Sequence, residues 1–238
     1  MNILLGALTL FIFNAELPAK ISYLVGTVTV ARKEKMYSAV LNASLYVNDI
    51  ITTGDESTCE IEFSSYSLIH LDPNSSIKIE RKEETKKGIF HRIFASIGEI
   101  VTKVAKLNKG DEYELRTDAA QAFIRGTTFK TSIDADGTSS FSVFEGKIGV
   151  KSLIEGAKEV LVDKNLKSII KKGELVPFVD KLSDLEISAF TTKFDDFIKR
   201  GAVLDELREK FEKEKKKKEE ELKKKKDEGI DKLKGMFK

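Results

Sequence analysis

Few residues in this sequence could do chemistry, and they are widely spaced. Arg125-Gly126-Thr127 is the sharpest local motif. An arginine beside a glycine corner can present a planar fork to a carboxylate or phosphate. The same arginine can instead tie neighbouring β turns together through backbone carbonyls, with Phe123 and Phe129 as core anchors on either side. Arg125 is thus the candidate ligand-binding residue, with a structural role as the stronger reading. Asp134-Ala135-Asp136-Gly137 places carboxylates as a calcium loop does, but an EF-hand needs glycine at its sixth position, where this chain has Ser139. These residues read as a turn. His70 and His91 have no Cys, Asp or Glu at ligand spacing along the chain and belong to no recognisable triad. Both read as surface or partly buried histidines. Cys59 shares an alternating face with Ile61 and Phe63 and reads as a small buried side chain. Phosphate loops, nucleotide fingerprints and nucleophile elbows are missing from the sequence. The expectation is a non-enzyme with no cofactor and no metal centre.

The elements that position these residues fall into three stretches. The chain has 238 residues, 41 basic and 39 acidic, with 41% hydrophobic, which is too apolar for a wholly disordered chain. A single cysteine excludes an internal disulfide framework. From Arg208 to Lys238 there are 14 basic and 9 acidic residues, so the basic excess lies in the tail. Ile3 to Phe13 is apolar apart from Gly6 and Thr9, which suits the core of a secretory signal peptide although no Lys or Arg precedes it. Residues 1–19 are expected to be that signal, cleaved after Ala15 or Ala19, and no span is expected in the mature chain. A buried first strand or helix is the alternative.

From Ile21 to about Glu174 the pattern has period two and is rich in Val, Ile, Thr, Phe and Ser. Cys59, Ile61 and Phe63 alternate with Glu60 and Glu62. Leu68–Leu71 and Ile77–Ile79 flank the turn Asp72-Pro73-Asn74-Ser75. Phe129–Ile133, Asp136-Gly137 and Phe141–Phe144 form a predicted hairpin, with strands following at Lys147–Val150 and Val160–Val162. Only Lys87–Ile97 has a weak helical pattern. Gly26, Gly98 and Gly146 each stand two residues before a β-branched residue, and the pairs Gly26/Gly54 and Gly98/Gly126 are both 28 apart. Such recurrence suits a coiled, repeated β unit with glycine corners.

Several ordered motifs carry a resemblance. They are Val25-Gly-Thr-Val28, Asn48-Asp-Ile-Ile-Thr-Thr-Gly54, Ser57–Phe63, Ser67-Leu-Ile-His-Leu-Asp-Pro-Asn-Ser75 and Gly98-Glu-Ile-Val101. Leu115-Arg-Thr-Asp-Ala-Ala-Gln-Ala-Phe-Ile-Arg-Gly-Thr-Thr-Phe129 and Val143-Phe-Glu-Gly-Lys-Ile-Gly-Val150 complete the series. Together they resemble the FecR family, a periplasmic module named after a bacterial iron-transport regulator, over roughly residues 20 to 175. Asn48 stands where the family usually has glycine, and Asp118 where proline is common. The resemblance implies a mainly β, solenoid-like or β-roll-like domain over 20–178 with a binding or signalling role and no catalysis. The cytoplasmic and membrane-spanning parts of FecR itself are expected to be absent. Gly26, Gly54, Gly98, Arg125, Gly126, Thr127 and Gly146 are the expected structural motif.

After Asp180 the period changes. Ser183-Asp-Leu-Glu186 is a capping box, and Leu185, Ala189, Phe190, Phe194, Phe197 and Ile198 recur at helical spacing. An amphipathic capping helix over 179–201 is expected to pack its phenylalanines against an end of the β body. Residues 202–238 form a second, Lys/Glu-rich helix. Its apolar positions are too sparse for a strong coiled coil, but seven Glu-to-Lys pairs such as Glu209–Lys213 and Glu221–Lys225 run in the favourable i to i+4 order. It reads as a solvated spacer, with Lys215–Lys218 and Lys223–Lys226 able to meet an anionic surface; interleaved glutamates argue against nucleic acid.

The expected function is an exported, non-enzymatic binding or signalling accessory in the periplasm or at the cell envelope, meeting an envelope protein or polymer. The alternative is a structural envelope protein whose charged helical tail mediates self-association or attachment.

Overall fold

The computed structural model describes residues 19–63, 67–85, 88–200 and single positions between 202 and 221. Among these, seventeen strands alternate inward apolar and outward polar side chains. The first are β1 (Ala19–Val25), β2 (Val28–Arg32), β3 (Lys35–Ser38), β4 (Ser44–Leu45), β5 (Ile50–Thr53) and β6 (Thr58–Phe63). Next come β7 (Ser67–Leu71), β8 (Ser76–Thr85), β9 (Gly88–Val104), β10 (Glu112–Arg116), β11 (Ala120–Ile124) and β12 (Thr128–Ile133). The series ends with β13 (Ser139–Glu145), β14 (Lys147–Ser152), β15 (Val160–Asp163), β16 (Leu166–Ile170) and β17 (Phe178–Lys181).

The strands pair in two layers. Layer A runs β3-β2-β5-β8-β9-β10-β11-β14-β15. Layer B runs β4-β1-β6-β7-β9-β12-β13-β16-β17. Strand β9 belongs to both, because the chain turns out of layer A at Gly98, φ +95°, and continues in layer B. A Cβ there would lie 2.2 Å from the Ser75 hydroxyl, so both the backbone and the space demand glycine.

One apolar core fills the gap between the layers. Ile51, Ile79, Ile93, Leu115 and Val150 enter from layer A, and Ile21, Ile61, Ile69, Phe129 and Phe141 from layer B, all fully buried. At about 1.5–3 kcal/mol for each large apolar side chain removed from water, this core is the main stabilising element. The protein is mainly β and the sheet does not close. Stacked coils of a solenoid pair in parallel, whereas among the described strands only β9 and β10 do so.

Two expectations are corrected. The stretch expected to be helical, Lys87–Ile97, is strand from Gly88, where its described residues form the first half of β9, with Ile89, His91, Ile93 and Ala95 turned inward. The C-terminal helix does not cover an end of the body. Helix α1 (Asp184–Lys193), continued by helical residues 195–200, lies across the outer face of layer B. Phe190, Phe194 and Phe197 bury there against Leu68 of β7 and Val101 of β9, with Phe144 and Ile198 alongside. Leu185 points to solvent. The helix begins where the capping box predicts, with Glu186 N–H donating to Ser183 Oγ at 3.2 Å and Ser183 N–H to Glu186 Oε2 at 2.8 Å.

Candidate functional site

The glycine corners stack along the body through hydroxyl side chains beside them. Thr27 N–H donates to Ser57 Oγ at 2.8 Å, and Gly54 N–H to the Thr27 carbonyl at 2.9 Å. Glu99 N–H donates to Ser75 Oγ at 3.1 Å, and Thr127 Oγ1 to the Lys147 carbonyl at 2.9 Å. Gly26, Gly126 and Gly146 have φ of +77°, +71° and +77°, respectively. Gly54 has no positive φ; it is held by close approach to Thr27 instead.

Arg125 is exposed and forms no hydrogen bond or ion pair among the described residues. Corner-tying belongs to buried Thr127. Arg125 lines a shallow cavity of about 210 Å³ with Asp111, Glu112, Glu114 and Phe123. Asp134–Gly137 makes a turn: Gly137 N–H donates to the Asp134 carbonyl at 2.9 Å, and Thr138 N–H to Asp136 Oδ1 at 2.8 Å. Cys59 is buried, and burial pushes its thiol up to about 12. His91 is a core residue, 2% exposed, with its ring against those of Phe63 and Tyr113. That corrects its reading as a surface or partly buried histidine.

The densest polar constellation surrounds His70, and the pattern along the chain does not show it. In the β6–β7 hairpin Glu60 stands directly opposite His70, while Asp72 follows two residues later on the same side. His70 Nδ1 lies 3.2 Å from Glu60 Oε1, and its Nε2 lies 3.4 Å from Asp72 Oδ1. Both carboxylates are buried, and each meets a cation from the C-terminal helix. Lys193 Nζ is 2.8 Å from Asp72 Oδ2, and Arg200 Nη2 is 2.5 Å from Glu60 Oε1. The edges of Phe194 and Phe197 complete the setting, 5.3 and 5.9 Å from the imidazole.

Burial alone would depress the His70 pKa, yet hydrogen bonds to Asp72 and Glu60, with their charges, raise it overall. Asp72 is shifted the other way: burial raises it, but His70 and Lys193 together hold it below the usual carboxylate value. Two ring nitrogens facing two carboxylates are both satisfied only by an imidazolium. The five charged groups thus form a clamp between helix and sheet. The carboxylates approach opposite nitrogens of the ring and do not converge on a common point, and no metal-holding group of His, Cys, Asp and Glu occurs among the described residues.

Beside the clamp runs a groove of about 360 Å³, lined by Ser22, Tyr23, Glu60, Glu62, Leu68, Arg200 and Val203. Its lining combines apolar Tyr23, Leu68 and Val203 with charged Glu60, Glu62 and Arg200. Residues 49–149, spanning β5 to the first half of β14 and including the clamp's Glu60, His70 and Asp72, match the family model described as FecR protein.

Over residues 49–149 the chain is similar to the FecR protein family.

Among solved structures the chain is similar to two crystal structures of a proposed anti-sigma factor from Parabacteroides distasonis. Identity is 15% and 16%, each with a TM-score of 0.49, covering 59% of this chain and 63% of theirs. The chain therefore spans under two thirds of those proteins. No curated protein matches it. Among the described residues no helix is long and apolar enough to cross a membrane.

Proposed function

We propose that this protein is an exported, non-enzymatic FecR-type binding module that takes part in signalling at the periplasmic face of the cell envelope. The FecR match supports a regulatory role and a periplasmic setting. The observation that carries the binding reading is the groove beside the His70 clamp: its buried carboxylates are already engaged by the helix cations, so the site offers a surface for recognition and no poised nucleophile or base. The partner is a segment of an envelope protein or polymer that lays an apolar side chain between Tyr23, Leu68 and Val203. The Lys/Glu-rich tail then acts as a spacer, with attachment to an anionic surface as its second use.

Ala19 bears on processing. It is 3% exposed and pairs with Leu45 and Phe63 at the start of β1. Cleavage after Ala15 keeps this pairing, and cleavage after Ala19 removes it.

A photo-crosslinking residue at Tyr23 in cells tests the reading. The expected result is one envelope adduct that disappears when Leu68→Glu is added and persists when Glu155→Gln, far from the groove, is added. Adducts unchanged by Leu68→Glu would contradict a binding groove.

A further inference from the structure

The exposed apolar side chains are unevenly placed. Among the described residues, β1 to β5 and their connections expose nine large ones, including Met36, Tyr37 and Leu41. The segment from Leu153 to Phe178 exposes six more, including Leu161, Val176 and Phe178. Among the described residues, strands β6 to β13, which make up the middle of the body, add only Ile97. The apolar surface therefore sits at the two opposite ends of the stack, where open-ended β structures ordinarily place polar caps.

Both ends also have open strand edges. Among the described residues β3 pairs only with β2, β15 only with β14, and β17 only with β16. On its outer side β1 is covered by β4 at Ala19 and Lys20, and by residues 42 and 43 at Ile21, which leaves 22–25 open. Each end is thus two layers deep, a shape that a single added peptide strand would only half cover.

We infer that these ends recognise each other, so that a second copy of this chain adds head to tail, β15 of one copy joining β3 of the next. Strand polarity supports this. Across layer A from β3 to β15 there are seven antiparallel steps and one parallel step, so β15 runs opposite to β3. Across layer B every step from β1 to β17 is antiparallel, seven in all, so β17 runs opposite to β1. Simple stacking of one copy on the next therefore offers antiparallel pairing in both layers at once. The strands β3 and β15 are both four residues long. In full register Lys35 faces Asp163 and Tyr37 faces Leu161, an ion pair and an apolar pair of the kind that stabilise adjacent strands. The contact uses a different end at each side, so it is heterologous and continues into a linear array. This inference stands independently of the binding groove on layer B.

Sedimentation of the full chain tests it. Short edges make a weak contact, so weight-average mass should rise to at least about twice that of the monomer by roughly 1 mM protein. Tyr37→Lys and Leu161→Lys, both at exposed positions, each set a charge against the apolar side chain it would face in the next copy and should each give monomers with unchanged melting temperature. Mixed one to one, the two variants retain one intact end apiece and should form dimers and nothing longer. A wild-type chain that stays monomeric at that concentration overturns the inference. Oligomers that persist in both single variants overturn it too, because they place the contact elsewhere, as does a mixture that remains monomeric.

Discussion

His70 and Arg200 meet on a single atom, Oε1 of Glu60, at 3.2 Å from the imidazole Nδ1 and 2.5 Å from the guanidinium Nη2. A strand histidine in the first half of the chain and an arginine from the C-terminal helix thereby depend on the same buried carboxylate. Helix docking and the protonation of His70 are coupled through it.

That coupling gives docking a pH window. The His70 pKa is raised in the folded state, so its stabilising contribution is complete below the unfolded value of about 6.5 and is lost as pH rises through the folded value. Asp72 is lowered, so its contribution is present above the unfolded value and is lost as acid carries pH down through the folded one. Amide protection factors in residues 190–200, taken relative to the intrinsic exchange rate at each pH, should be highest in mildly acidic buffer and lower on either side. His70→Gln should remove the alkaline limb and leave the acid limb in place.

The phenylalanine seam should be separable from the body. Phe194→Ala removes a buried ring and should cost about 3 kcal/mol of helix docking. Limited proteolysis should then cut between Leu182 and Arg200 while circular dichroism of the β body is retained. Simultaneous loss of the strand signal would show that helix and body unfold as one unit.

Capping is a smaller lever on the same helix. Ser183 accepts from Glu186 N–H, and Glu186, bonded to Lys167 and Ser183, is held down to about 2. Ser183→Ala should cost about 1 kcal/mol in denaturant unfolding of the helix. Ser183→Asp should restore most of it.

Glycine corners divide into crowded and open cases. Gly98→Ala meets Ser75 at 2.2 Å with φ +95°, whereas Gly156→Ala keeps a positive φ, +80°, in open space. Gly156→Ala should show only backbone strain, about 1–2 kcal/mol. Gly98→Ala should lose considerably more, read as the difference in urea midpoint between the two variants.

Much of the architecture was legible in the chain. Alternation at Cys59–Phe63, the Asp136-Gly137 hairpin and the Ser183–Glu186 box all report local geometry, which neighbouring residues settle among themselves. Lys87–Ile97 misled because Lys and Gly at its start interrupt the two-residue period, and the inward set Ile89, His91, Ile93 and Ala95 becomes evident only once β8 and β10 flank it. Regular glycine spacing marks corners, but it does not say whether successive strands pair parallel or antiparallel, so the coil and the two-layer body look alike in sequence. The His70 clamp was the least legible part. Glu60 reaches His70 through hairpin register, and Arg200 arrives from 140 residues away. Its one local sign was polar His70 in the apolar run Leu68–Leu71, with Asp72 two residues on at the start of the turn.

Export is the premise on which the proposed role stands, and intact mass of the protein recovered from fractionated cells tests it most directly. The account predicts a mature chain beginning at Glu16 in the periplasmic or envelope fraction, with Ala19 retained for β1. A chain still carrying Met1 and confined to the cytoplasm would contradict it.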